Sequence, residues 1–95
     1  MAQTITNLLV HAIFSTKDRR PLLKPDIKPR LFSYVGGGVR NLGGKAYIIN
    51  GAADHVHMLV SMPPTMSIAE IMRGVKANSS AWVHEEFVDQ PTFAW

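Results

Sequence analysis

The chain has 95 residues, a formal net charge of +3 and a pI near 9.6, with 46% apolar, 18% charged and 8% aromatic residues. That length fits one small domain, the composition excludes a disordered tail and a collagen-like polymer, and the apolar stretch from Leu8 to Phe14 is far too short to span a bilayer. Cysteine is absent, which removes disulfides and thiolate sites and fits a reducing, cytoplasmic setting.

Residues 4–15 (TITNLLVHAIFS) alternate with period two and predict a first strand, with Leu8, Val10, Ala12 and Phe14 on one face and Asn7, Leu9, His11 and Ile13 on the other. A basic loop follows, in which Lys17, Arg19, Arg20, Lys24, Lys28 and Arg30 face only Asp18 and Asp26. The positive excess of the chain is therefore one local cluster, a footprint that suits phosphate backbones and equally a solvated loop. Asp26 is placed to cap a helix carrying Ile27, Leu31, Tyr34, Val35, Val39 and Leu42 on its apolar stripe, with Pro29 tolerated in the first turn and Gly43-Gly44 as the stop. Gly36, Gly37 and Gly38 interrupt this helix at a cost of about 1 kcal/mol each relative to alanine. No G-x-x-x-x-G-K-[ST] fingerprint accompanies them, so close helix–sheet packing is their expected role.

Residues 45–53 predict a second strand with a bend or bulge at Asn50-Gly51, and residues 55–62 a third, closed by Pro63-Pro64. Ser67 and Glu70 form a capping box that opens a second helix. Its apolar stripe is Ile68, Ile71, Met72, Val75, Trp82, Val83 and Phe87, opposite a polar row of Arg73, Lys76, Ser80 and His84. Pro91 ends that section, and residues 92–95 read as the start of a fourth strand. The order is β-α-β-β-α-β, an α+β ferredoxin-like fold whose antiparallel sheet carries both helices on one face and leaves the other open. A small domain with such an uncovered face is expected to dimerise.

Chemistry concentrates in His55-Val56-His57. Residues two apart on a strand share a face, so both imidazoles stand on one side while Val56, Met58, Val60 and Met62 turn to the core. Two neutral imidazoles side by side can share a divalent metal, although such a site needs at least one further ligand. Asp54 has the opposite parity and is read as a turn residue at the start of the strand, not a ligand. His11 is open to two readings, a group near metal or DNA and an ordinary sheet-surface histidine.

Three segments in order, HAIFSTKDRRPLL, VGGGVRNLGGKAYIINGAADHVHMLVSMPP and SIAEIMRGVKANSSAW, make the chain resemble the single-tyrosine HUH transposases of small bacterial insertion sequences and their REP-associated relatives. The resemblance covers nearly the whole chain. It implies an enzyme that cuts and rejoins single-stranded DNA beside an imperfect hairpin, acts as a homodimer, and forms a 5′-phosphotyrosyl intermediate through a tyrosine nucleophile. It also implies that His55 and His57, with a third polar ligand, hold Mg²⁺ or Mn²⁺. Lys17, Arg19 and Arg20 fall in the stretch that contacts hairpin DNA, and Lys76 on a helix near the bound strand.

The sequence departs from that family at its carboxyl end. The nucleophilic tyrosine belongs to a helix after the fourth strand, in a segment like G-Y-G-A-F-S, and nothing of the kind precedes Trp95. Tyr34 and Tyr47 match no nucleophile position and read as packing residues. Ser79 and Ser80 have no base beside them, and His84 reads as a solvated helix residue. The chain is thus expected to be a single HUH transposase domain over residues 1–95, truncated before its tyrosine helix, with no catalytic nucleophile of its own and inactive alone. Two alternatives compete. Histidine-triad nucleotide hydrolases alternate three histidines, but Leu59 stands in the third place here. A non-catalytic ferredoxin-like nucleic-acid binder needs only the open sheet and the basic loop.

Overall fold

The computed structural model describes residues 8–95. Asn7 and the predicted strand positions before it lie outside the described residues. Strand β1 (Leu8–Ser15) leads through a single 3₁₀ turn at Lys17–Arg19 to helix α1 (Lys28–Asn41), then β2 (Lys45–Gly51), β3 (His55–Met62) and α2 (Ile68–Glu86). The strands form one antiparallel sheet in the order β1-β3-β2, so β3 is central.

Strand β3 sets the division between core and surface. Val56, Met58, Val60 and Met62 are fully buried while His55, His57, Leu59 and Ser61 on the other parity stay half-buried. The buried side meets Val10 and Phe14 of β1, Leu31, Val35 and Val39 of α1, and Ile71, Val75 and Val83 of α2 in one cluster. Both helices therefore cover one face, as the predicted ferredoxin-like α+β fold requires. The open face keeps Leu9, Ile13 and Ile48 exposed.

The second helix starts as its sequence dictates. Ser67 Oγ accepts the Glu70 amide and Glu70 Oε1 accepts the Ser67 amide, both at 3.1 Å. Ile68 contributes little to the predicted stripe, being more than half exposed in the first turn. The first helix starts differently from expectation. Ile27 is its N-cap, with no side-chain hydrogen bond, and the Lys24 carbonyl accepts the amides of Ile27 and Lys28. A preceding turn thus does the work assigned to Asp26.

Two further expectations differ from what the structure shows. A Cβ on Gly37 or Gly38 would meet nothing within 4 Å, so these glycines do not mediate close packing; only Gly36 lies against the sheet, near Ile49. Gly37, Gly38 and Gly74 instead line an open groove of about 300 Å³ between α1 and α2. The bulge in β2 falls at Tyr47, between Ala46 and Ile48, and not at Asn50-Gly51. Gly51 serves the tight β2–β3 turn, where a Cβ would collide with the His55 carbonyl.

Residues 92–95 form no strand. Phe93 is buried, its carbonyl faces His84 Nε2 at 2.8 Å, and the Trp95 indole donates to Ser79 Oγ at 2.9 Å. These side-chain contacts to α2 fix the segment, while on the sheet side the Ala94 carbonyl accepts the Lys17 amide just past the end of β1 and the Trp95 ring meets Phe14 of β1 edge-on at 4.8 Å. His84 is accordingly an anchor for this segment and not a merely solvated residue.

Candidate functional site

The histidine pair stands where the parity of β3 puts it. His55 and His57 project from the open face with ring centroids 6.3 Å apart and 28° between planes. In the ladder, His57 lies between Ile13 of β1 and Asn50 of β2, and His55 opposite Ser15. A depression of about 280 Å³ beside His57 is lined by His11, His57, Ile48 and Leu59, without His55. His11 therefore joins the same surface, but among the described residues no group of three His, Asp or Glu side chains is gathered tightly enough to hold a metal ion. The two imidazoles suit a divalent cation as nitrogen donors; they supply part of a coordination sphere.

The basic loop is bonded to the turn that leads into that same strand. The buried Thr16 donates its amide to the Asp54 carbonyl at 2.9 Å, and its hydroxyl lies 3.2 Å from that carbonyl and 2.6 Å from the Arg20 carbonyl. The Leu23 amide reaches the Ala53 carbonyl at 2.9 Å. Asp18 and Arg19 adopt left-handed backbone conformations, with φ of 57° and 54°, an arrangement uncommon outside glycine and favoured at functional loops. Lys17, Arg19 and Arg20 are all exposed around this turn.

Asp54 ties the two halves together, a role that sequence reasoning missed. Its Oδ1 lies 2.9 Å from His55 Nδ1 and its Oδ2 3.3 Å from Arg19 Nε. The hydrogen bond from His55 holds the carboxyl below its ordinary value; Arg19 acts in the same direction and partial desolvation opposes both. Asp54 is the turn residue the sequence predicts, just before the first residue of β3, and there strand parity does not fix side-chain direction, so its carboxylate reaches His55. The adjacency of an acid to the histidine pair was the available signal.

Lys76 is not brought into this group. It is exposed on α2 with Nζ 6.0 Å from the centre of the Phe14 ring, on the helix-covered side of the sheet. Tyr34 stacks on Trp82 at 4.9 Å, as a packing residue should. Tyr47, at the bulge, is half exposed with Lys45 Nζ 5.1 Å from its ring, and so is not the packing residue expected. Ser79 is buried and donates to the Val75 carbonyl, which leaves it a structural hydroxyl.

Residues 4–95 match the family model described as "Transposase IS200 like". Among curated proteins, the chain is 29% identical over 89 residues to the transposases for insertion sequence element IS200 of Salmonella typhimurium strain LT2 and of Salmonella typhi. Those alignments cover 94% of this chain and 59% of each relative, so the chain spans about three-fifths of their length. Among solved structures, a crystal structure of a protein proposed to be a transposase, from Deinococcus radiodurans R1, superposes with a TM-score of 0.86 at 19% identity. It covers all of this chain and 77% of that one, and the likeness supports the fold.

Proposed function

The chain belongs to the IS200-like transposase family, and from that premise we propose that its open sheet face carries the metal-binding part of a site that cuts and rejoins single-stranded DNA beside a hairpin. The observation that carries this reading is the side-by-side pair of His55 and His57 imidazoles on β3, next to a cationic loop bonded to the turn that leads into that strand. In this reading the pair holds Mg²⁺ or Mn²⁺. Such an ion, when bound, polarises the scissile phosphate and offsets the charge that develops on it.

The remaining roles fall to the protein. Lys17 and Arg20, exposed on the loop, bind backbone phosphates, while Arg19 is shared between phosphate and Asp54. The exposed apolar side chains Leu9, Ile13 and Ile48 offer a surface on which an unpaired strand can lie with little water between. The attacking hydroxyl comes from a tyrosine outside these 95 residues, because Tyr34 is stacked under Trp82 and Tyr47 lies on the bulged edge strand. The active assembly is a homodimer. Among the described residues no helix is long and apolar enough to cross a membrane.

A Mn²⁺ titration followed by the free-ion paramagnetic signal, combined with anisotropy of labelled hairpin DNA, tests the reading. The wild-type chain binds both, and His57→Ala loses Mn²⁺ binding. Undiminished Mn²⁺ binding by His57→Ala sinks the metal assignment. A covalent DNA adduct formed by the 95-residue chain itself would place the nucleophile within it and overturn that part of the proposal. Salt-sensitive DNA binding that ignores Mn²⁺ altogether supports the non-catalytic binder.

A further inference from the structure

We propose that Asp54 is a positioning residue that locks the His55 imidazole into the tautomer with its proton on Nδ1 and turns Nε2 outward as a free donor. The inference deepens the proposed metal site and rests on that reading for its purpose, but its physical basis is independent of any ion. A carboxylate can only accept a hydrogen bond, so a His55 Nδ1 lying 2.9 Å from Asp54 Oδ1 must carry the proton. The neutral ring then has its lone pair on Nε2. Free imidazole has no such constraint, and both tautomers are open to it.

Asp54 is itself held at two points, its main chain and its second carboxylate oxygen. The main chain of Asp54 is pinned by the buried Thr16, whose amide and hydroxyl both reach its carbonyl. Its second oxygen, Oδ2, is taken by Arg19 Nε at 3.3 Å. Arg19 reaches that position from a left-handed backbone conformation, φ 54°, next to a second one at Asp18. A surface ion pair of this kind contributes little to stability, so the strained loop is better explained by what it aims than by what it holds together. The result is a relay of Arg19, Asp54 and His55 that runs from the basic loop to the metal-binding face. His57 is not part of it, so the two histidines of the pair are set by different means.

The test reads the ring nitrogens directly in the metal-free, ¹⁵N-labelled 95-residue chain, by long-range ¹H–¹⁵N correlation above the titration range of the histidines. In the wild type, His55 shows the Nδ1–H form. In Asp54→Ala it shifts to the Nε2–H form that free histidine favours, while His11 and His84 are unchanged. Asp54→Asn, which keeps an acceptor oxygen, restores the Nδ1–H form. The same variants are then titrated with Mn²⁺, where Asp54→Ala weakens binding about 10- to 100-fold and Asp54→Asn less. A His55 tautomer that does not change in Asp54→Ala overturns the proposal, the amide spectrum certifying that the variant is folded. A tautomer that switches without any change in Mn²⁺ affinity upholds the hydrogen bond and overturns its role in metal binding. Failure of the metal reading itself is separate, since it shows as a wild type that binds Mn²⁺ no better than His57→Ala.

Discussion

The Thr16 amide donates to the Asp54 carbonyl at 2.9 Å, and the Thr16 hydroxyl spans the Asp54 and Arg20 carbonyls. This one buried side chain therefore clasps the loop after β1 to the turn before β3. Thr16→Val keeps the volume and the backbone bond and removes the hydroxyl, leaving the Arg20 carbonyl with the Leu22 amide at 2.7 Å as its one remaining donor. The variant should lose about 0.5–1.5 kcal/mol of stability, read from the urea midpoint. An unchanged midpoint would mean that the clasp rests on the backbone bond alone.

Much of this arrangement is legible in the residues themselves. The alternation in HVHMLVSM places Val56, Met58, Val60 and Met62 in the core and both histidines outside, because a pleated strand permits no other division. The capping box is equally local and is observed as written. What stays hidden depends on distant partners. Residues 92–95 have the composition of a strand, yet contacts of Phe93 and Trp95 with His84 and Ser79 decide their path, a case of tertiary packing overriding propensity. Nothing in KAYII marks Tyr47 as the bulged residue. The helical pattern around Gly37 and Gly38 shows that they lie in α1 but not that their side of it opens on a groove.

Charge placement separates the cations predicted to meet DNA. Lys17 and Arg20 flank the turn that is tied to the start of β3, whereas Lys76 lies by Phe14 on the helix-covered side. For a single strand crossing the open face, Lys17→Gln and Arg20→Gln should each reduce the slope of log affinity against log salt by about 0.7, and Lys76→Gln should leave it unchanged. Anisotropy titrations at several salt concentrations provide the slopes. A loss at Lys76 equal to that at Lys17 would route the strand over the helices instead.

The α2 capping box gives the chain a specific acid sensitivity. Hydrogen bonds from the Ser67 backbone and then its side-chain contact, with Arg73 nearby, hold the Glu70 carboxyl below its ordinary value of 4.5. A carboxyl whose value is lowered on folding stabilises the fold above its unfolded value, and that contribution disappears as pH falls through the folded one. Glu70→Gln retains a capping oxygen without the charge. The wild type should therefore melt higher than Glu70→Gln at neutral pH, with the gap closing below about pH 4.5. A gap that persists in acid would show that the charge is not its source.

Two glycine substitutions should act in opposite directions for reasons of space alone. Gly38 sits inside α1, where a Cβ would meet nothing within 4 Å. Alanine there reduces the backbone freedom of the unfolded chain at no steric cost, so Gly38→Ala should add about 0.5–1 kcal/mol. Gly44 lies between α1 and β2, and a Cβ there would run into the Met62 sulfur and the Ser61 carbonyl. The sulfur can swing aside but the backbone carbonyl cannot, because Ser61 is paired with β1 and β2 on either side. Gly44→Ala should therefore cost about 1–3 kcal/mol. Urea unfolding of both variants decides the matter: a Gly38→Ala chain less stable than the parent would mean that the groove between α1 and α2 closes in solution and that Gly38 packs after all.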